Sequence, residues 1–157
     1  MTQFFTQNSD IIIKLVVALL LGTIIGVERV IVHKEAGMKT HALVALGAAM
    51  FVLISDQMAV KYANFPGFNP TMMASQIIVG IGFLGAGVII FREKEERLIG
   101  LTTASGLWVA AGIGMASGMG FFDIAIIATV LVLLVFIFMN IFEKPIKRIT
   151  HFDTDPK

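Results

Sequence analysis

Five stretches of 17 to 20 residues carry almost no charge, and they fix what this chain can become. About 20 apolar residues at 1.5 Å per residue cross the ~30 Å hydrocarbon core of a bilayer. The stretches cover about 11–27, 42–60, 72–91, 101–118 and 124–142, joined by short polar loops, with a polar tail over 143–157. Of the 157 residues 57% are hydrophobic and 15% charged, against roughly 25% charged in a soluble domain. So few charges cannot cover an apolar interior, so lipid must form most of the surroundings. The expected fold class is all-α: one domain, a five-helix transmembrane bundle.

Local signals mark the helix ends. Asp10 can cap the first span, and Glu28-Arg29 closes it. Thr40 can cap the second. Pro66-Gly67 and Asn69-Pro70 make a turn-rich loop, with Asn69 as cap and Pro70 at the first position of the third span. Six charges fill Arg92–Arg97. A tight turn over 118–122 precedes Asp123, a cap for the fifth span. Lys and Arg then set orientation, because cytoplasmic loops are enriched in them. Arg29, Lys34 and Lys39 follow the first span; Arg92, Lys94 and Arg97 follow the third; Lys144, Lys147, Arg148 and Lys157 lie in the tail. The opposite side has Lys61, and Lys14 just inside the first span. The N-terminus is therefore expected outside and the C-terminus in the cytoplasm. Residues 1–10 carry no positive charge and no A-x-A-like site follows, so the first span is expected to be kept rather than cleaved as a signal.

The 15 glycines fall mostly inside the spans. Lipid gives helices no hydrophobic reason to associate, so small residues that permit close approach matter more. Ala18-x3-Gly22-x3-Gly26 and Ala110-x3-Gly114-x3-Gly118 each lay a smooth stripe along one helix face. The octet Gly80-Ile-Gly82-Phe-Leu-Gly85-Ala-Gly87 is denser. At 100° per residue Gly80 and Gly87 fall about 20° apart, with Gly82 and Gly85 roughly opposite. The third span is thus expected to be central and packed on both sides, with the glycine-free fifth span on the lipid side. A locally broken helix lining an ion or substrate site is the sharper alternative for the octet. Gly80-x-Gly82-x-x-Gly85 also fits a dinucleotide fingerprint, but that motif requires a preceding strand and an acidic residue ~20 positions on. It lies mid-membrane here.

Ionisable groups at membrane depth are functional candidates by default. Glu28 and Arg29 stand at the end of the first span, as a structural pair of Glu28 with Lys39 or Arg29, or as a ligand or gating group. Gln76 shares a face with Gly80 and Gly87 and suits an interhelical hydrogen bond. Thr102, Thr103 and Ser105 open the fourth span, where they can cap or bond backwards. Asp56 is expected to be solvated and Trp108 packed. His33, His41 and His151 have no metal-ligand spacing, and His33 and His41 read as solvated or interfacial. A net charge of +1 gives no reason for nucleic-acid binding, and the absence of cysteine excludes disulfides and thiolate chemistry. No paired carboxylates, H-E-x-x-H, Ser/His/Asp set or Walker loop is present. Neither an enzyme nor a metal or cofactor site is expected.

Gly80–Gly87 (GIGFLGAG), then Gly100-Leu-Thr-Thr-Ala104 and Trp108, resembles the MgtC/SapB family of bacterial membrane proteins. Gly26-Val-Glu-Arg29 and Ala36-Gly-Met-Lys-Thr-His-Ala-Leu-Val44 fit that family's first loop, where an Arg commonly stands at the place of Lys39. The resemblance covers about residues 15–142. It implies a multi-pass protein of the bacterial inner membrane, linked to growth in low magnesium or to survival in host cells. Some members are regulators, including of the rotary ATP synthase; others are labelled magnesium transporters. Positions carried over are Glu28, Arg29, Gly37, Thr40, Gln76, the four octet glycines and Gly100–Ala104. Two departures stand out: the family often has an Arg near Met72, and longer members carry an ACT-like domain after the fifth span, for which the 15 residues past Phe142 leave no room. The leading expectation is a regulator acting through helix contacts with itself or another membrane protein. The alternative is a magnesium carrier or channel, for which an oligomer would have to gather several copies of Glu28.

Overall fold

The computed structural model describes residues 6–63, 69, 71–92 and 97–150, with side chains throughout except at 92, 97 and 140–150. Pro66-Gly67, Pro70, the middle of the charged run and residues 151–157 lie outside the described residues. Five long helices account for most of the rest: α1 (Ser9–Ile31), α2 (Met38–Lys61), α3 (Thr71–Gly87), α4 (Leu101–Gly118) and α5 (Phe122–Thr150). Between α3 and α4 lies a hairpin of β1 (Ile90–Arg92) and β2 (Arg97–Ile99), antiparallel with Phe91 opposite Leu98. The chain is an all-α membrane bundle with this one small ribbon. α1, α2 and the Phe122–Met139 part of α5 are long and apolar enough to cross a membrane; α3 is apolar but shorter.

Several ends differ from expectation. α3 stops at Gly87 instead of Phe91, because Val88-Ile-Ile-Phe91 is a β-branched and aromatic run that favours the hairpin. Gly100 returns the chain at φ +90, and a Cβ there would run into the Val88 carbonyl. α5 continues past Phe142 to Thr150. α1 starts one residue before Asp10, with Asn8 as its cap residue, so Asp10 sits in the first turn and pairs with Lys14 at 2.7 Å. Gly37, not Thr40, precedes α2. Asp123 lies in the first turn of α5 instead of capping it. At the start of α3 the Asn69 Oδ1 accepts from the Thr71 amide at 3.0 Å, the expected capping bond.

The interior is organised around α4, which touches every other helix. This corrects the expectation that the octet helix is central. α3 packs mainly on α4 and α2, burying Ile81 and Gly85 and leaving most of its surface open. The two stripes in the first and fourth spans do the close packing, and both meet α2. A Cβ added at Gly22 would lie 2.8 Å from the Ala45 Cβ, and one at Gly118 would lie 2.8 Å from the Ala49 carbonyl oxygen. Gly114 sits against the Ala45 carbonyl. Ala45, fully buried, is gripped from two sides. α5 covers α1 and α4 with Ala125, Thr129 and Phe136 and turns the rest of its surface outward, as the expected peripheral helix.

α1 ends in a Schellman motif. The Lys34 amide donates to the Arg29 carbonyl at 2.9 Å and the His33 amide to the Val30 carbonyl at 3.1 Å. The left-handed position is held by His33 (φ 56), where glycine is the usual occupant. His33→Gly should therefore stabilise the protein by up to about 1 kcal/mol, seen as a higher melting temperature in detergent. A lower one would mean that the His33 side chain holds something the backbone does not explain.

Candidate functional site

Gly26-Val-Glu-Arg29 puts two opposite charges in the last turns of α1, just where glycine draws the start of α2 close. A Cβ at Gly26 would stand 2.8 Å from the Met38 nitrogen and 2.9 Å from the Gly37 carbonyl oxygen. Gly37 is itself tight, since a Cβ there would be 2.7 Å from the Val30 Cγ2. That approach shuts solvent out of the region. Arg29 is 1% exposed and Glu28 8%. The Arg29 Nε and Nη2 both meet the Glu28 Oε2, so the buried charges neutralise each other. The other face of the guanidinium lies 3.5 Å from the centroid of the Phe136 ring of α5, a cation–π contact.

His41 completes the cluster and was missed: expected to be solvated or interfacial, it is fully buried. Its Nδ1 is 3.0 Å from the Gly37 carbonyl oxygen. In the neutral ring that nitrogen donates, leaving the lone pair on Nε2. Among the described residues Nε2 has no partner. It faces Gly106 of α4, where a Cβ would stand 3.2 Å from Nε2 and 3.2 Å from the Phe136 Cζ. Gly106 thus makes room for both rings, with buried Thr103 one turn before it. α1, α2, α4 and α5 all meet here. Two sequence signals could have found the cluster. His41, Ala45, Ala48, Val52 and Ser55 share one face at helical spacing, and four of these five are the small or apolar residues of a buried stripe. Ala125, Thr129 and Phe136 repeat the pattern on α5.

The other candidates fall elsewhere. Among the described residues Lys39 makes no ion pair, so Glu28 belongs with Arg29. Lys39 and Thr40 are exposed at one end of a groove of about 960 Å³ between α2 and α3. Gln76 and Gly80 line the same groove. Gln76 is exposed, and among the described residues it makes no bond to another helix. At Gly80, Gly82 and Gly87 an added Cβ would meet nothing within 4 Å, whereas at Gly85 it would be 3.7 Å from the Ala104 Cβ. Thr102 is exposed and Ser105 bonds back to the Leu101 carbonyl at 3.0 Å. Trp108 is 53% exposed instead of packed. The octet forms continuous helix throughout, so the broken-helix alternative is set aside. Among the described residues no three His, Asp or Glu side chains come together.

Small-residue stripes in backbone contact, a buried ion pair at one end and three membrane-length apolar helices define a helical-bundle membrane protein. Its sequence carries the profile of the MgtC family over residues 15–145, and the chain belongs to that family. It is 44% identical over 122 residues to the protein MgtC of Salmonella typhimurium, covering 78% of this chain and 49% of that one. It is 41% identical over 135 residues to the protein MgtC of Brucella abortus (86% and 52%). It is 37% identical over 131 residues to a protein of Escherichia coli K12 named "Putative magnesium transporter YhiD" (82% and 60%). The chain therefore spans about half to three fifths of the length of these relatives. No solved structure matches it.

Proposed function

We propose that this chain is a non-enzymatic, multi-pass protein of the bacterial inner membrane, with its N-terminus outside and its C-terminus in the cytoplasm. It serves adaptation to low magnesium, with the link to virulence that the resemblance implies, as a regulator. It acts by helix contact with a second copy or with another membrane protein. The observation that carries this is the outer face of α3. Ser75, Val79, Gly82 and Ala86 share one face at helical spacing and all are exposed. At Gly82 an added Cβ meets nothing within 4 Å. In lipid, small residues are what let helices approach closely, and the bundle leaves this face unused. The magnesium link is supported by the name of one relative, "Putative magnesium transporter YhiD". Transport finds less support. Mg²⁺ is held by carboxylates and water in octahedral geometry, and the Glu28 carboxylate is already bound by Arg29.

The chain has no native cysteine, so single cysteines report contacts cleanly. Gly82→Cys should cross-link in membranes, while Val135→Cys, on the outward side of α5, should not. Gly82→Leu should accumulate normally yet fail to support growth in low magnesium. Wild-type growth with Gly82→Leu would overturn the proposal. Mg²⁺ flux into proteoliposomes of the purified protein would favour transport in its place.

A further inference from the structure

We infer that the groove between α2 and α3 is a binding site for an anionic phospholipid, its phosphate on Lys39 and one acyl chain along the groove. The floor is apolar and buried, formed by Ala48, Ile81 and Ala111. Gly47 and Gly80 stand on the two walls, and a Cβ at either would meet nothing within 4 Å. The missing side chains therefore leave the groove wider at these two points. At one end stand the Lys39 ammonium, without an ion pair among the described residues, and the Thr40 hydroxyl. A cation at the mouth of an apolar trough is the complement of a lipid with an anionic head.

Length and volume leave room for an acyl chain. From Lys39 to Met58, both on its lining, the groove follows nineteen residues of α2, or about 28 Å, so a chain spanning the ~15 Å of one leaflet's hydrocarbon fits within it. The volume of about 960 Å³ lies at the upper end of small-molecule sites. The face assigned above to helix contact, at Gly82, lies outside this groove. The leaflet follows from the proposed orientation: Lys39 would meet the cytoplasmic one, whose anionic lipids attract basic residues. Binding itself does not depend on orientation.

Purified protein exchanged between detergents with phosphatidylglycerol or phosphatidylcholine tests the site, with retained lipid counted by native mass spectrometry. The wild type should retain phosphatidylglycerol about fivefold better, the worth of one lysine at an anionic interface. Lys39→Gln should bring that ratio near one. The double variant Gly47→Leu/Gly80→Leu should retain little of either lipid, while melting like the wild type in lipid-free detergent. Gly112→Leu, also in open space but away from the groove, should change nothing. The inference is overturned if the wild type shows no preference, if Lys39→Gln keeps it, or if the double variant still holds lipid. Loss of a dimer in the double variant with lipid retained would make the groove an interface between copies instead. Gly82 is untouched in all these variants, so their failure leaves the helix-contact proposal standing.

Discussion

Arg29→Gln should remove most of the folded protein. The substitution takes the cation away from the Glu28 carboxylate, which is 8% exposed, and from above Phe136. Breaking a buried pair by removing one partner costs about 3–5 kcal/mol, against a total stability of about 5–15 kcal/mol for a typical domain. Folded yield by size exclusion and the melting midpoint in detergent are the measurements. Glu28→Gln should cost less, because Arg29 keeps its seat on the Phe136 ring. Replacing both residues, as Glu28→Gln with Arg29→Met, should recover much of the loss, since a buried pair can often be exchanged for apolar groups at little cost. An Arg29→Gln protein that melts like the wild type would mean that the cluster does not hold the bundle together.

Gly114→Leu and Gly82→Leu should part widely, although both add the same side chain to a transmembrane glycine. At Gly114 the new atoms run into the Ala45 backbone, which cannot turn aside as a side chain can. The cost should exceed the ~1–3 kcal/mol of ordinary overpacking, and folded protein should be lost. At Gly82 there is open space, and stability should stay within about 0.5 kcal/mol of the wild type, as for a surface change. Equal melting of the two variants in detergent would contradict the placement of α3 at the edge and α4 at the centre.

Much of this fold could be read from the sequence, because the hydrocarbon core imposes a length that no loop can imitate. The stripes through Gly22 and Gly114 were equally legible. What they touch was not. A small residue says that something can come close, but not what. The partner of both stripes is Ala45, in a helix whose alanines resemble any helix-forming run. The octet misled for the same reason: four glycines in eight residues mark surface available for contact, and most of it is open in the single chain. At the site, a pair of Glu28 with Lys39 or Arg29 is expected because two charges at a span end must find partners, and Arg29 is the one that Glu28 meets. His41 was not, since a histidine three residues past a loop usually meets water. Only its spacing with Ala45 and Val52 shows that it points inward. Phe136 was hidden among the many large apolar residues of α5.

The double grip on Ala45 also decides which parts of this protein can move. α2 cannot slide or roll against α1 without driving backbone into backbone, and the contacts at Gly114 and Gly118 lock it to α4 in the same way. Three helices therefore behave as one rigid chassis. α3 leans on that chassis through Ile77, Ile81 and Gly85, with a trough along one flank. A signal arriving in the plane of the membrane would thus be felt first as a tilt of α3, at far lower cost than any shift within the other three.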